Sequence, residues 1–249
     1  MSGLFDAKKR AIFRAVNTIL TVLPKIVIML ISHGCRFVIF PDPLGSCHWI
    51  RPALEPWLDQ SVALTKGGAT SPFFFRDMSP AEVELAFDMT DRPFHNYTRI
   101  AIIQNPFRRM VQLYDRIAAT DPIWRMRRNF GLPNPEFGRW LTQTRPNGHG
   151  AAYPHGPRWR RFGAWSAEAW CDERVNHVVR ADTAHLDLTR ILRQIGVSAA
   201  FASRASDQSA AVPTEMLRYD AASLSLIKSR YRSDLQYFAK GLSHLRLVA

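Results

Sequence analysis

The stretch RIAIIQNPFRRMVQLYDRI, residues 99 to 117, constrains this chain more than any other. Ile100 to Ile103 is an apolar run of strand type. It meets the breaker pair Asn105-Pro106, and a helix-period stretch follows. Met110, Leu113, Tyr114 and Ile117 fall on one face of that helix, with Arg108, Arg109, Gln112 and Arg116 largely on the other. A strand running into a helix opened by Asn and Pro leaves free backbone N–H groups and a positive dipole end at the junction, a common way to build an anion site.

The rest of the chain repeats the strand-then-helix alternation. RFVIF (36–40) reads as a buried strand, PDPLGSC as a turn-rich loop, and HWIRPALEPWL as a helix made irregular by Pro52 and Pro56. Ser79-Pro80-Ala81-Glu82 is a capping box with proline at the first helical position, which predicts a helix over 80–88. RVNHVVR (174–180) is a further short strand and HLDLTRILRQIG a helix closed by Gly196. Residues 203–214 read as loop. The periodicity of 220–238 predicts one final helix with Leu224, Ile227, Tyr231, Leu235 and Phe238 along a single face. Residues 123–161, dense in Pro, Gly, Trp and Arg, are expected to form a long surface segment with Trp159 exposed. This order of elements predicts an α/β fold with a parallel sheet and helices packed on its faces.

With 249 residues, 47% of them hydrophobic, the chain can bury the core such a domain needs. The net charge of +12 is concentrated: twelve arginines against three acids lie between Arg99 and Arg161, a surplus of nine. The planar guanidinium suits bidentate grip on phosphate, sulfate or carboxylate. A phosphate-bearing cofactor, an acidic protein or an anionic membrane surface would each match this charge. No DNA- or RNA-binding motif accompanies it, so nucleic acid is not expected as a partner. Cys35, Cys47 and Cys171 are too scattered for a disulfide framework or a metal-type pair, and read as reduced thiols in a cytoplasmic setting. His149 and His155 lack neighbouring carboxylates, and no metal is expected. No G-x-x-x-x-G-K-[ST] occurs, which removes support for nucleoside triphosphate binding.

Residues 1–28 carry Phe5, Ile12, Val16, Ile19 and Leu23 at helical spacing, with Lys8, Lys9 and Arg14 mostly elsewhere. This predicts an amphipathic extension ending near Pro24, able to pack on a partner or lie in a membrane surface. The extension and the following IVIMLI are marginal as a membrane span.

The segments MLISHGCRFVIFPDPLGS, RIAIIQNPFRRMVQLY, VNHVVRADTAHLDLTRILRQIGV and YDAASLSLIKSRYRSDLQYF, in this order, resemble the sulfotransferases that use 3′-phosphoadenosine 5′-phosphosulfate (PAPS), in particular their bacterial and Golgi-type branch. The resemblance covers most of 29–240 and implies a P-loop-kinase-like central parallel sheet with helices on both faces. It divides the chain into the extension 1–28 and a domain over 29–249.

The resemblance also assigns the site. The family's 5′-phosphosulfate loop, approximately Lys-Thr-Gly-Gly-Thr-Ser, falls on this chain with its lysine at Pro43. Its glycine pair falls at Gly45 and Ser46, and its last two residues at Cys47 and His48. The 3′-phosphate motif, approximately Arg-Asn-Pro-x-x-Arg-x-x-Ser, stands as Gln104 to Gln112. Asn105, Pro106 and Arg109 are kept, Arg108 lies beside Arg109, and the first Arg and the Ser are both glutamine. A third motif, usually Arg-x-Glu-Asn, stands as Arg180-Ala181-Asp182-Thr183. A proline cannot replace the lysine that neutralises charge on the leaving oxygen. The expectation is therefore a catalytically degenerate sulfotransferase-like protein without a bound cofactor. It would act as an accessory or interaction subunit of a larger assembly, cytoplasmic and peripheral on a membrane face. The alternative is an active PAPS-dependent enzyme transferring a sulfuryl group to a hydroxyl or amine. His48 would then stand in for the lysine, Arg108 and Arg109 would hold the 3′-phosphate, and Asp77, Asp88 or Asp182 would be the base.

Overall fold

The computed structural model describes residues 29–42, 44, 49–59, 78–144, 163–167, 171–198 and 218–240. Four strands form one sheet in sequence order: β1 (Leu30–Ser32), β2 (Phe37–Phe40), β3 (Thr98–Ile103) and β4 (His177–Arg180). β2 pairs with β3 and β3 with β4 in parallel, with Ile39 opposite Ile100 and Ile102 opposite Val179. The sheet is parallel as the strand–helix alternation predicts, except at its edge. There β1 runs antiparallel to β2 through the turn His33–Arg36, with Leu30 opposite Ile39. Arg36 turns that corner at φ 52, a left-handed conformation uncommon for a residue with a side chain.

Both sheet faces are covered, because successive strand residues point to opposite sides. Val38, Phe40, Ala101 and Ile103 pack with Val83, Ala86 and Phe87 of α2 (Pro80–Asp88), with Tyr237 and Phe238 against this side. Phe37, Ile39, Ile100 and Ile102 pack with Ile50 and Leu54 of α1 (Ile50–Leu54) and with Leu188, Ile191 and Leu192 of α6 (Ala184–Gln194). α2 starts with the capping box read from the sequence, Ser79 and Glu82 each bonding the other's backbone N–H. Gly196, at φ +80, follows the end of α6.

A third core lies among helices: α3 (Pro106–Thr120), α4 (Pro122–Asn129), α5 (Phe137–Gln143) and α7 (Ala221–Arg230). It corrects the expectation of a long surface segment over residues 123–144. Two helices stand there, with Trp124, Phe137, Trp140 and Leu141 buried. Pro122 is a helix start, because Asp121 accepts from the Trp124 N–H and caps α4. Tyr114 meets Trp124, Phe137 and Trp140 edge-on, each at 5.4 Å between ring centroids. Trp159 lies outside the described residues. The single helix expected over 220–238 is two, α7 and α8 (Arg232–Lys240), separated at Tyr231. Among the described residues no helix is long and apolar enough to cross a membrane.

Two histidines tie the sheet's stability to pH. His33 follows β1, its Nδ1 3.0 Å from the Tyr97 hydroxyl, and His177 opens β4. Burial, then the charge of Arg92 for His33 and of Arg190 for His177, holds each below the ordinary imidazole value, although Asp59 opposes this at His33. The unfolded chain therefore takes up protons near pH 6.5 that the native state still refuses. Stability is expected to be complete above that pH and to fall as pH drops below about 6.5. Melting temperatures at neutral and mildly acidic pH should show a smaller drop for His177→Gln than for the parent chain.

Candidate functional site

The loops after β2, β3 and β4 leave the same end of the sheet, because these three strands are parallel. After β3 the chain enters α3 directly. Asn105 is the N-cap, its Oδ1 accepting from the Phe107 N–H at 2.9 Å, and Pro106 occupies the first helical position. Arg180 ends β4, and Ala181, Asp182 and Thr183 form the turn into α6. After β2, the Leu44 carbonyl accepts from Arg116 Nη1 of α3 at 3.0 Å, which ties Leu44 to α3. Pro43, Gly45, Ser46, Cys47 and His48 lie outside the described residues, as does Asp77.

Arg109 corrects the face assigned to it. It is buried, 5% exposed, among Pro106, Met110 and Leu113 on the inner side of α3. Its Nη2 donates to Asp234 Oδ2 at 2.5 Å, and its guanidinium lies 5.2 Å from the centre of the Tyr231 ring. Asp234 is 2% exposed and accepts through Oδ1 from the Ala167 N–H at 2.7 Å. Burial pushes the Tyr231 phenol up to about 12, so it stays neutral while donating to the Ala164 carbonyl at 2.7 Å. Arg108, on the same turn, is exposed.

The two glutamines that stand in the 3′-phosphate motif bond each other. Gln104 Nε2 donates to Gln112 Oε1 at 2.8 Å. Gln104 is nearly fully buried at the end of β3, and its Oε1 has no hydrogen-bond partner, nor does the buried Nε of Arg109. Arg180 is also internally engaged. Its Nε and Nη2 fork onto the two carboxylate oxygens of Asp182 at 3.0 and 2.5 Å, and it lies 4.5 Å from the centre of the Phe238 ring. Asp182 is therefore held by a cation, and Asp88 is exposed at the end of α2. Cys171 is buried, its thiol pushed well up by desolvation and then by Asp234, which leaves it unreactive. No group of three or more His, Cys, Asp and Glu among the described residues could hold a metal ion.

The structure thus brings Asn105, Arg108 and Arg109 to one helix start, with Arg109 turned inward. Sequence reasoning missed Asp234, the contact of Arg109 with Tyr231 and the bond between Gln104 and Gln112, yet the sequence held a signal for the first. Asp234 interrupts the apolar stripe Ile227, Tyr231, Phe238, while Arg109 interrupts the stripe Pro106, Met110, Leu113. Opposite charges on two buried faces call for each other. No family model, curated protein or solved structure matches the chain. Fold and site define an α/β protein whose parallel strands end on a corner of internally paired guanidinium and amide groups.

Proposed function

We propose that this is a sulfotransferase-like protein of P-loop-kinase-like fold whose cofactor corner has become structural, and that it serves as an accessory or interaction subunit of a larger assembly. The observation that carries the reading is the state of Arg109. It is the one arginine kept from the 3′-phosphate motif, and its charge is met by Asp234 inside the protein rather than turned to solvent. A phosphate arriving at the start of α3 would have to compete with a carboxylate 2.5 Å away that is already desolvated. The bond from Gln104 to Gln112 supports the same reading, since the two substituted positions engage each other. The parallel β2–β3–β4 order, with Asn105-Pro106 opening α3, supports the fold assignment. On this reading the subunit resides in the cytoplasm, peripheral to a membrane, and its partner is a protein.

Titration of the full chain with the desulfated cofactor 3′-phosphoadenosine 5′-phosphate (PAP) tests it. No calorimetric signal is expected at micromolar concentration. A tight one-to-one titration would overturn the proposal and favour an active enzyme holding PAPS with Arg108 and His48.

A further inference from the structure

Of the seven large apolar side chains most exposed among the described residues, four fall within ten positions: Ile123, Met126, Phe130 and Leu132. Phe130 is 74% exposed and the other three just over half. Positions 123, 126 and 130 share one side of α4 and its continuation, away from Trp124, whose indole anchors the helix in the third core.

This tip is fixed in place. Asp121 caps its start, and its end closes with Gly131 at φ +68. The Gly131 N–H donates to the Arg128 carbonyl at 3.0 Å and the Leu132 N–H to the Arg127 carbonyl at 2.8 Å, the paired closure of a glycine-terminated helix. Arg127 then reaches forward, its Nε and Nη2 donating to the Pro133 carbonyl at 3.1 and 2.7 Å. A capped turn that holds a phenyl ring in water has ordered an apolar surface without burying it, and such a surface marks an interaction site.

The charge around the tip says what covers it. Arg125 and Arg128 are exposed, no acidic residue occurs between Pro122 and Pro135, and neither arginine forms an ion pair among the described residues. A short projecting helix with an aromatic and aliphatic side, flanked by guanidinium groups that fork onto phosphate, matches the boundary between lipid headgroups and acyl chains. We propose that the tip Pro122–Leu132 docks on an anionic bilayer surface. Ile123, Met126, Phe130 and Leu132 enter the boundary, and Arg125 and Arg128 meet lipid phosphates. This docking is independent of any cofactor and of residues 1–28.

Co-sedimentation of the full chain with vesicles tests the proposal, using phosphatidylcholine alone or mixed equally with phosphatidylglycerol. Binding to the mixed vesicles is expected, weakened by high salt. Phe130→Asp should lower partitioning about tenfold or more, and Arg125→Ala and Arg128→Ala about fivefold each. Met126→Ser provides a second apolar probe. All four sites are exposed, so melting temperatures should stay near the parent value. The proposal is overturned if the parent chain ignores the mixed vesicles, or if the variants bind within about twofold of it. It is also overturned if Phe130-dependent binding goes to polyglutamate instead of lipid, which would make the partner an acidic protein.

Discussion

Replacing Asp234 by asparagine is expected to lower the free energy of unfolding by about 3–5 kcal/mol, because it leaves the buried Arg109 cation without its counter-charge. Both groups are at least nine-tenths buried, so water cannot take over the lost role. The neutral ring of Tyr231 offers Arg109 a cation–π contact, worth about 2 kcal/mol or more when desolvated, but it carries no negative charge to replace the carboxylate. Arg109→Met strands the carboxylate instead and should also destabilise the protein, although Asp234 keeps the Ala167 N–H. The double change Arg109→Met, Asp234→Leu should recover much of the loss, because replacing a buried pair by apolar groups is often nearly neutral. It should still fall short by about 1–3 kcal/mol, as the Ala167 N–H loses its acceptor. Urea unfolding of the parent and the three variants measures these differences. If both single variants lie within about 1 kcal/mol of the parent, the pair is not closed to solvent. Arg109 would then be available to an anion, and the proposed function would lose its main support.

What could be read from the sequence, and what could not, divides by the range of the interactions involved. The capping box at Ser79 and the helix start at Asn105-Pro106 were legible, because each is decided by side chains bonding backbone within three positions. Asp121-Pro122 carries the same local signal, but the density of Pro, Gly and Arg after it outweighed that signal. What fixes this segment is distant: Trp124 and Trp140 are buried by Tyr114, and Phe137 meets Tyr219 edge-on at 5.0 Å. The separation of α7 from α8 had no sequence signal, since the apolar period runs straight through Tyr231. The antiparallel β1 depends on Arg36 adopting φ 52, which its residue type does not announce. Of the corner itself, position was legible and state was not. Asn105, Arg108 and Arg109 do meet at the start of α3, but the inward turn of Arg109 depends on a carboxylate 125 positions away.

Restoring the substituted positions together, as Pro43→Lys, Gln104→Arg and Gln112→Ser, is expected to raise affinity for PAP by about a hundredfold to ten-thousandfold. The estimate counts two charge-assisted contacts of about 1.5–3 kcal/mol each. The two glutamines have to change together. Each is the other's hydrogen-bond partner at 2.8 Å, and a single change strands a largely buried amide. The structure adds a second expectation. Position 104 is nine-tenths buried, five residues before the buried Arg109, so an arginine there brings a second desolvated cation into the same corner. Asp234 already serves Arg109. The triple variant should therefore melt below the parent chain without ligand, and recover when PAP supplies the missing negative charge. At a hundredfold excess over its dissociation constant the ligand would contribute about 2.7 kcal/mol. Thermal melts with and without PAP read both effects in one experiment. A variant that folds, melts like the parent and ignores PAP would mean that the loop after β2 no longer has the shape of a phosphate cradle. The family resemblance would then not extend to a cofactor pocket.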